Sequence, residues 1–200
     1  MTKRLNILPE PGFLKLQAEL SERLTRLGAE IHAEEFGALL DPLMCQVFQN
    51  GVNEAGADEG TIWLVDQAGE FLVPAYNTGP RAEQIVGKFQ QPLNAGLICM
   101  VFASEQPFLE NEVRASPGQS KLLDSLLQVQ TTALIAVPFH FLHACRGVLS
   151  CVQLSDPARM ARPAAGFRPH HLAGIQRTTS LLSQLIEHQL LSSVVGWKCC

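Results

Sequence analysis

The spacing of apolar residues alternates along this chain between a helical and a strand period, and this alternation constrains the fold more than any other feature. Over residues 13–33 and 36–55, apolar side chains recur every three or four positions, which predicts two amphipathic helices. The next two segments, 60–66 and 70–77, contain runs of branched and aromatic residues around a short polar turn. This part of the chain therefore predicts a β-hairpin after two helices.

The rest of the chain continues this alternation of helices and hairpins. The predicted elements are short helices at 80–87, 95–104 and 116–129, an extended piece at 88–92, strands at 132–139 and 147–154, and a last helix at 170–193. Consecutive strands without long helical crossovers pair in an antiparallel sheet. We therefore expect an α+β fold, with helices flanking a central antiparallel sheet.

Charge and hydropathy exclude some partners. The chain has 15 basic and 19 acidic residues, a net charge of -4, and no clustered basic face, which argues against nucleic acid. Its longest apolar run, TTALIAVPF, is far shorter than the roughly 20 residues of a membrane-spanning helix. Pro9 and Pro11 interrupt the N-terminal apolar stretch too early for a signal peptide. We expect no membrane partner and a cytoplasmic protein.

The positions of the cysteines are consistent with a cytoplasmic location. Four of the six lie in apolar segments, and no CxxC pair occurs. The terminal pair Cys199-Cys200 has two interpretations: a prenyl acceptor in a eukaryotic host, or an exposed tail that oxidises easily.

Three stretches carry a more specific pattern: TIWLVDQAGEFLVPAYNTG, LNAGLICMVFASEQPFLENEV and LIAVPFHFLHACRGVLSCVQLSD. In this order, across about residues 36–156, they resemble the GAF domain, a small regulatory module of phosphodiesterases, sensor kinases and phytochromes. The resemblance implies a sheet with helices behind one face and, over the other, a lid at about 77–132 that encloses a small-molecule pocket. It divides the chain into a helical extension (1–35), a GAF-like domain (36–156), and a loop with a C-terminal helix (157–200).

The resemblance also implies which residues line the pocket. Apolar members would form its walls and polar members would orient a ligand; the candidates are Tyr76, Asn77, Arg81, Phe89, Leu97, Ile98, Val101, Asn111, Gln130, Thr131 and Thr132. Family members bind cyclic nucleotides, tetrapyrroles, amino-acid or ketoacid-type metabolites, or nothing. The ligand and any cofactor are therefore left unidentified.

Three subfamilies require residues that can be sought directly. The segment SKLLDSLLQVQTT has Lys121 and Asp124 but not the rest of the cyclic-nucleotide signature Asn-Lys-x-Phe-x-Asp-Glu. Cys99 lies in the helix where bilin attaches in phytochromes, but no histidine follows it. Free methionine-sulfoxide reductases use paired reactive cysteines, whereas Cys99, Cys145 and Cys151 are scattered. None of the three patterns is complete.

The terminal helices carry apolar stripes that need a partner surface. Because many GAF domains dimerise through flanking helices, we expect a homodimer whose bundle contains Leu20, Leu24, Leu27, Ile31, Leu182 and Ile186. No nucleotide loop, nucleophile elbow or zinc helix is present. The lid carboxylates, Glu83, Glu105, Glu110, Glu112 and Asp124, specify no acid–base pair, so we expect no enzyme.

Three hypotheses for function follow. The first is a stand-alone sensory or regulatory module that binds a small molecule under the lid and signals to a separate output protein through its terminal helices. The second is a ligand-free interaction and dimerisation module. The third is a metal or redox sensor that uses His140, His143 and Cys145, although these supply only three ligands in a single loop.

Overall fold

A computed structural model describes residues 11–155 and 165–196. The predicted proline-rich loop falls partly outside these ranges, and the Cys199-Cys200 pair falls entirely outside them. No helix in the described ranges is long and apolar enough to cross a membrane.

The N-terminal region forms four helices where two were predicted: α1 (Pro11–Leu14), α2 (Gln17–Glu30), α3 (Ala33–Leu39) and α4 (Pro42–Glu54). The break before α4 has a local cause. Leu40 is extended, the Asp41 carboxylate accepts a hydrogen bond from the Met44 amide at 2.8 Å, and Pro42 occupies the first helical position. These residues end one helix and begin the next.

Six strands form one antiparallel sheet: β1 (Glu59–Val65), β2 (Phe71–Asn77), β3 (Gln91–Pro92), β4 (Phe108–Glu110), β5 (Gln130–Phe141) and β6 (Ala144–Ser155). Their spatial order is β3-β2-β1-β6-β5-β4. Both predicted hairpins and the α+β class are confirmed. The three-residue strand β4 was not predicted, because so short a segment has no readable period.

The second hairpin is longer than predicted. Only Leu142 and His143 form its turn, with φ angles of 51° and 63°, the signs that a tight type I′ connection requires. The rest of the segment HFLHACR belongs to β5 and β6. Phe139 and Phe141 are fully buried there, and both rings pack against Phe36 of α3. The apolar character of this link therefore comes from contact with an N-terminal helix.

The region between the hairpins covers one sheet face. It contains α5 (Ala82–Ile85), α6 (Leu97–Ser104), a 3₁₀ turn (Val113–Ala115) and α7 (Leu122–Leu127). The helix predicted at 116–129 is reduced to α7, because Pro117 and Gly118 interrupt its first turn. We call residues 78–129 the lid.

The opposite sheet face carries the long helix α8 (Pro169–Val195) together with α3 and α4. Leu182 and Ile186 of α8 are buried in this main core, beside Ile135 and Leu149 of the sheet. These two predicted dimer residues are thus enclosed within their own chain. Leu24 and Ile31 pack partly on the same core.

Candidate functional site

A cavity of about 80 Å³ lies between the sheet and the lid. The sheet forms its floor and the lid its roof. Its lining residues are Trp63, Gln91, Gly96, Leu97, Ile98, Val113, Gln119, Ser120, Leu123, Asp124, Thr131, Leu134, Ser150 and Val152. Most of the cavity surface is apolar.

The floor is fixed by a hydrogen bond between two central strands. Trp63 Nε1 of β1 donates to Ser150 Oγ of β6 at 2.9 Å, and each residue is only 3% exposed. The Phe89 ring meets the Trp63 ring edge-on at 6.2 Å and supports the indole from the lid side. An indole N–H can only donate, so the Ser150 hydroxyl accepts this bond and keeps its own hydrogen.

Gln91 closes one end of the cavity and is also 3% exposed. Its Nε2 donates to the Ala95 carbonyl at 2.9 Å and lies 3.4 Å from the Pro92 carbonyl. Two carbonyl acceptors fix the orientation of the amide, since only its nitrogen can donate to them.

Asp124 ties the roof to the sheet. Its carboxylate accepts hydrogen bonds from the Thr131 amide at 2.9 Å and the Thr131 hydroxyl at 2.7 Å, and from Gln119 Nε2 at 3.2 Å. These hydrogen bonds hold the carboxylate at the cavity wall, against the first residues of β5. This lid carboxylate is partly buried and hydrogen-bonded within the chain.

Three of the eleven predicted site residues line the cavity: Leu97, Ile98 and Thr131. Val101 and Phe89 pack in the apolar cluster beside it. Tyr76 packs on Phe48 of α4, with ring centroids 5.9 Å apart.

Arg81 and Asn77 form hydrogen bonds within the chain and do not line the cavity. Arg81 Nη1 donates to the Leu127 carbonyl at 2.7 Å and so holds the end of α7. Asn77 Nδ2 donates to Thr61 Oγ1 at 2.8 Å, and Asn77 Oδ1 accepts from the Gly79 amide at 2.7 Å. Glu59 lies nearby, and burial raises its pKa above the usual value, partly offset by Asn77 and Arg81.

Of the remaining three predicted residues, Asn111 lies in the lid, and Gln130 and Thr132 lie at the start of β5. Asn111 binds the backbone of Phe167, and Thr132 Oγ1 donates to the Gln153 carbonyl at 2.9 Å. Gln130 lines an adjoining cleft of about 420 Å³ that also contains Arg114 and Lys121 and shares Gln119 and Asp124 with the cavity.

Six polar or aromatic cavity residues were missed from the sequence: Trp63, Gln91, Gln119, Ser120, Asp124 and Ser150. Trp63 and Ser150 lie 87 positions apart and meet only through the β1–β6 pairing. The alternation within each strand could have placed both on the lid face, but not side by side.

Burial makes the nearby thiols less acidic. It raises the pKa of Cys99 to about 11 and that of Cys151 to about 12, and it also raises the pKa of Cys145. His140 Nε2 lies 2.9 Å from Glu105 Oε2. In residues 11–155 and 165–196, no three histidine, cysteine or carboxylate side chains converge as a metal site would require.

Comparison with models of known protein families gives no match, and no curated protein sequence matches either. Solved structures do match. A GAF domain/HD domain protein from Geobacter sulfurreducens is 16% identical, with a TM-score of 0.56 over 77% of this chain and 97% of that one. The GAF domain of a phosphoenolpyruvate-protein phosphotransferase from Coxiella burnetii is 16% identical, with a TM-score of 0.55 over 76% and 96%.

An enzyme is among the similar structures. The type II free methionine-R-sulfoxide reductase from Thermoplasma acidophilum is 14% identical, with a TM-score of 0.50 over 73% of this chain and 96% of that one. Identities this low establish the architecture and leave the activity open. The six-stranded antiparallel sheet, with helices on one face and a lid over the other, gives this chain the GAF-domain fold.

Proposed function

We propose that this chain is a sensory or regulatory module that binds a small molecule between the sheet and the lid. The observation that carries the proposal is the cavity itself, where apolar walls surround a few fixed polar groups. Such a combination is typical of sites for small ligands, whose apolar surface gives affinity while polar groups give orientation.

The lid has a physical connection to the C-terminal helix. Val113 lines the cavity, and Asn111, two residues earlier, holds the backbone of Phe167 just before α8 begins. A ligand that contacts Val113 can therefore bias the position of α8. Transmission requires that the ligand bind more tightly to one arrangement of these elements than to the other.

The terminal helices would carry the signal to a separate protein and to a second copy of the chain. Leu182 and Ile186 are occupied in the core, so the dimer surface on α8 must use its exposed side. Leu181, Leu191 and Val195 are 45%, 39% and 46% exposed there. We propose these three residues, with Leu20 and Leu27 of α2, as the contact surface of a homodimer.

A ligand-free interaction module is the second candidate. The cavity volume of about 80 Å³ favours it, because sites for drug-sized ligands usually measure about 300–1,000 Å³. The two candidates differ in whether a compound occupies the cavity and in which substitutions impair function.

We do not extend the reductase activity of the Thermoplasma neighbour to this chain. A reactive cysteine attacks as the thiolate, and burial raises the pKa of Cys99 and Cys151 well above neutrality. The cavity lining contains no cysteine.

Mass spectrometry of gently purified protein tests the first candidate. Compounds released on denaturation are compared between the wild type and Ser120→Phe, which places a ring in the cavity wall. Ser104→Phe, at the exposed end of α6, is the matched control. A compound released by the wild type and the control, but not by Ser120→Phe, supports a ligand site. Bare chains in all three preparations favour the interaction module.

A further inference from the structure

The cavity beneath the lid is too small to hold a metabolite by itself. A water molecule needs about 10–15 Å³ of such space, so a cavity of about 80 Å³ accommodates roughly six heavy atoms. Sites for small ligands usually measure about 300–1,000 Å³. A ligand of that size must therefore extend from the cavity into a neighbouring hollow.

Two hollows adjoin the cavity, and they differ in charge. One, of about 410 Å³, shares Gln119 and the start of α6 with the cavity, and its described lining contains no charged residue. The other is the cleft of about 420 Å³, which shares Gln119 and Asp124 with the cavity and is also lined by Arg114 and Lys121. A molecule that extends from the cavity past Gln119 on this side therefore meets two cations.

The two cations of the cleft are available to a ligand. Arg114 and Lys121 are exposed, and neither side chain forms a hydrogen bond or an ion pair with another residue in 11–155 or 165–196. The Asp124 carboxylate, in contrast, already accepts hydrogen bonds from Thr131 and Gln119. Two cations and one carboxylate leave the cleft with one net positive charge. This balance favours a ligand group with a single negative charge.

The cavity suits the opposite end of such a molecule. Trp63 and Leu134 give it apolar surface, and the Phe89 ring supports the Trp63 ring from the lid side. Among the described residues, no lysine, arginine or histidine contributes to the cavity wall. A charged group placed in the cavity would lose its hydration without meeting a cation, so the apolar end lies there and the charged end lies in the cleft.

We propose that the site takes a small organic carboxylate, whose apolar end fills the cavity against Trp63 and whose carboxylate lies in the cleft with Arg114 and Lys121. This inference rests on the proposed function and names its ligand class. The molecule passes from one space to the other beside Gln119, whose Nε2 lies 3.2 Å from Asp124 Oδ2.

NMR titration of the intact chain tests the proposal through the indole N–H signal of Trp63. The chain contains two tryptophans, so Trp197→Phe leaves this signal as the single indole N–H. Three probes carry a phenyl ring, which matches the size of the cavity: 3-phenylpropionate, its neutral amide 3-phenylpropanamide, and 2-phenylethyl phosphate. We expect a saturable shift with 3-phenylpropionate and about tenfold weaker binding of the amide and of the phosphate. Added salt should weaken binding of 3-phenylpropionate and leave that of the amide unchanged.

Two double variants test the cations. Arg114→Gln with Lys121→Gln should weaken binding of 3-phenylpropionate about tenfold and leave binding of 3-phenylpropanamide unchanged. Lys15→Gln with Arg177→Gln removes the same charge at exposed positions outside the lid and should change neither affinity. Binding of the amide thereby separates loss of the cations from damage to the fold.

Four results would overturn the proposal. They are equal binding of 3-phenylpropionate and its amide, tighter binding of 2-phenylethyl phosphate, an unchanged affinity for 3-phenylpropionate in the Arg114 and Lys121 double variant, and no saturable shift at Trp63 with any probe. The first three reject the carboxylate class while a ligand site remains. The proposed function fails separately, if purified wild-type protein releases no compound.

Discussion

The side chain of Asn111 binds both backbone polar groups of Phe167: Oδ1 accepts from the amide at 2.6 Å, and Nδ2 donates to the carbonyl at 3.0 Å. This pair joins the end of β4 to the segment that leads into α8. Asn111 thus links the lid to the C-terminal helix.

Asn111→Ala should loosen this link. Loss of two partly buried hydrogen bonds should lower the free energy of unfolding by about 1–3 kcal/mol and speed amide exchange at Phe167. Urea denaturation and hydrogen–deuterium exchange measure the two effects. Asn94→Ala, in an exposed loop position, is the matched control. Unchanged exchange at Phe167 in Asn111→Ala would show that the pair does not hold the segment.

Asp124 should stabilise the roof of the cavity. Asp124→Ala removes the acceptor for Thr131 and Gln119 and should cost about 2 kcal/mol in unfolding free energy. Asp124→Asn should cost less, because its amide oxygen can still accept. Urea denaturation checks both, with the exposed Glu83→Ala as the control for loss of a lid carboxylate. If both Asp124 variants match the control, the carboxylate does not hold the lid.

Glu59 should make stability depend on pH. Burial raises the pKa of its carboxyl above the ordinary value of 4.5, with Asp58 adding to the rise and Arg81 opposing it. The folded state therefore holds this proton more tightly than the unfolded state does. Its contribution to stability is complete below pH 4.5 and is lost as pH rises through the folded-state pKa.

Glu59→Gln should remove this dependence. The difference in unfolding free energy between the variant and the wild type should shift in favour of the variant as pH rises above 4.5. Urea denaturation of both proteins across this range measures it. A constant difference, or a shift in favour of the wild type, would contradict the buried-carboxyl account.

The exposed side of α8 should control self-association. Leu181→Glu combined with Leu191→Glu should convert a dimer to a monomer, because two charges would be buried at the contact. Sedimentation measures the mass, and Leu122→Glu, at an exposed leucine in the lid, is the control. A wild-type monomer at micromolar concentration would contradict the dimer.

Local patterns predicted most of the architecture, because each hairpin and terminal helix carries its own apolar period. The break at Asp41 and Pro42 was also readable as a helix start, yet the continuous apolar spacing obscured it. The turn at Leu142 and His143 was not readable, since leucine is uncommon at positive φ and the pair is not one of the glycine-containing pairs that mark such a turn.

The site was less predictable, because its polar groups meet through the register of distant strands. Thr131 was expected in the pocket, but its partner Asp124, seven positions earlier in a leucine-rich helix, was not. Trp63 and Ser150 come together only once β1 pairs with β6. No local spacing encodes such pairings.

The central claim is that occupancy of the cavity is transmitted to α8. Its most direct test is amide exchange across residues 165–175, measured on ligand-free protein before and after addition of the compound that the wild type releases. We expect slower exchange at Phe167 and in the first turn of α8, with the effect abolished in Asn111→Ala. Binding of the compound with no change in exchange across this segment would contradict it.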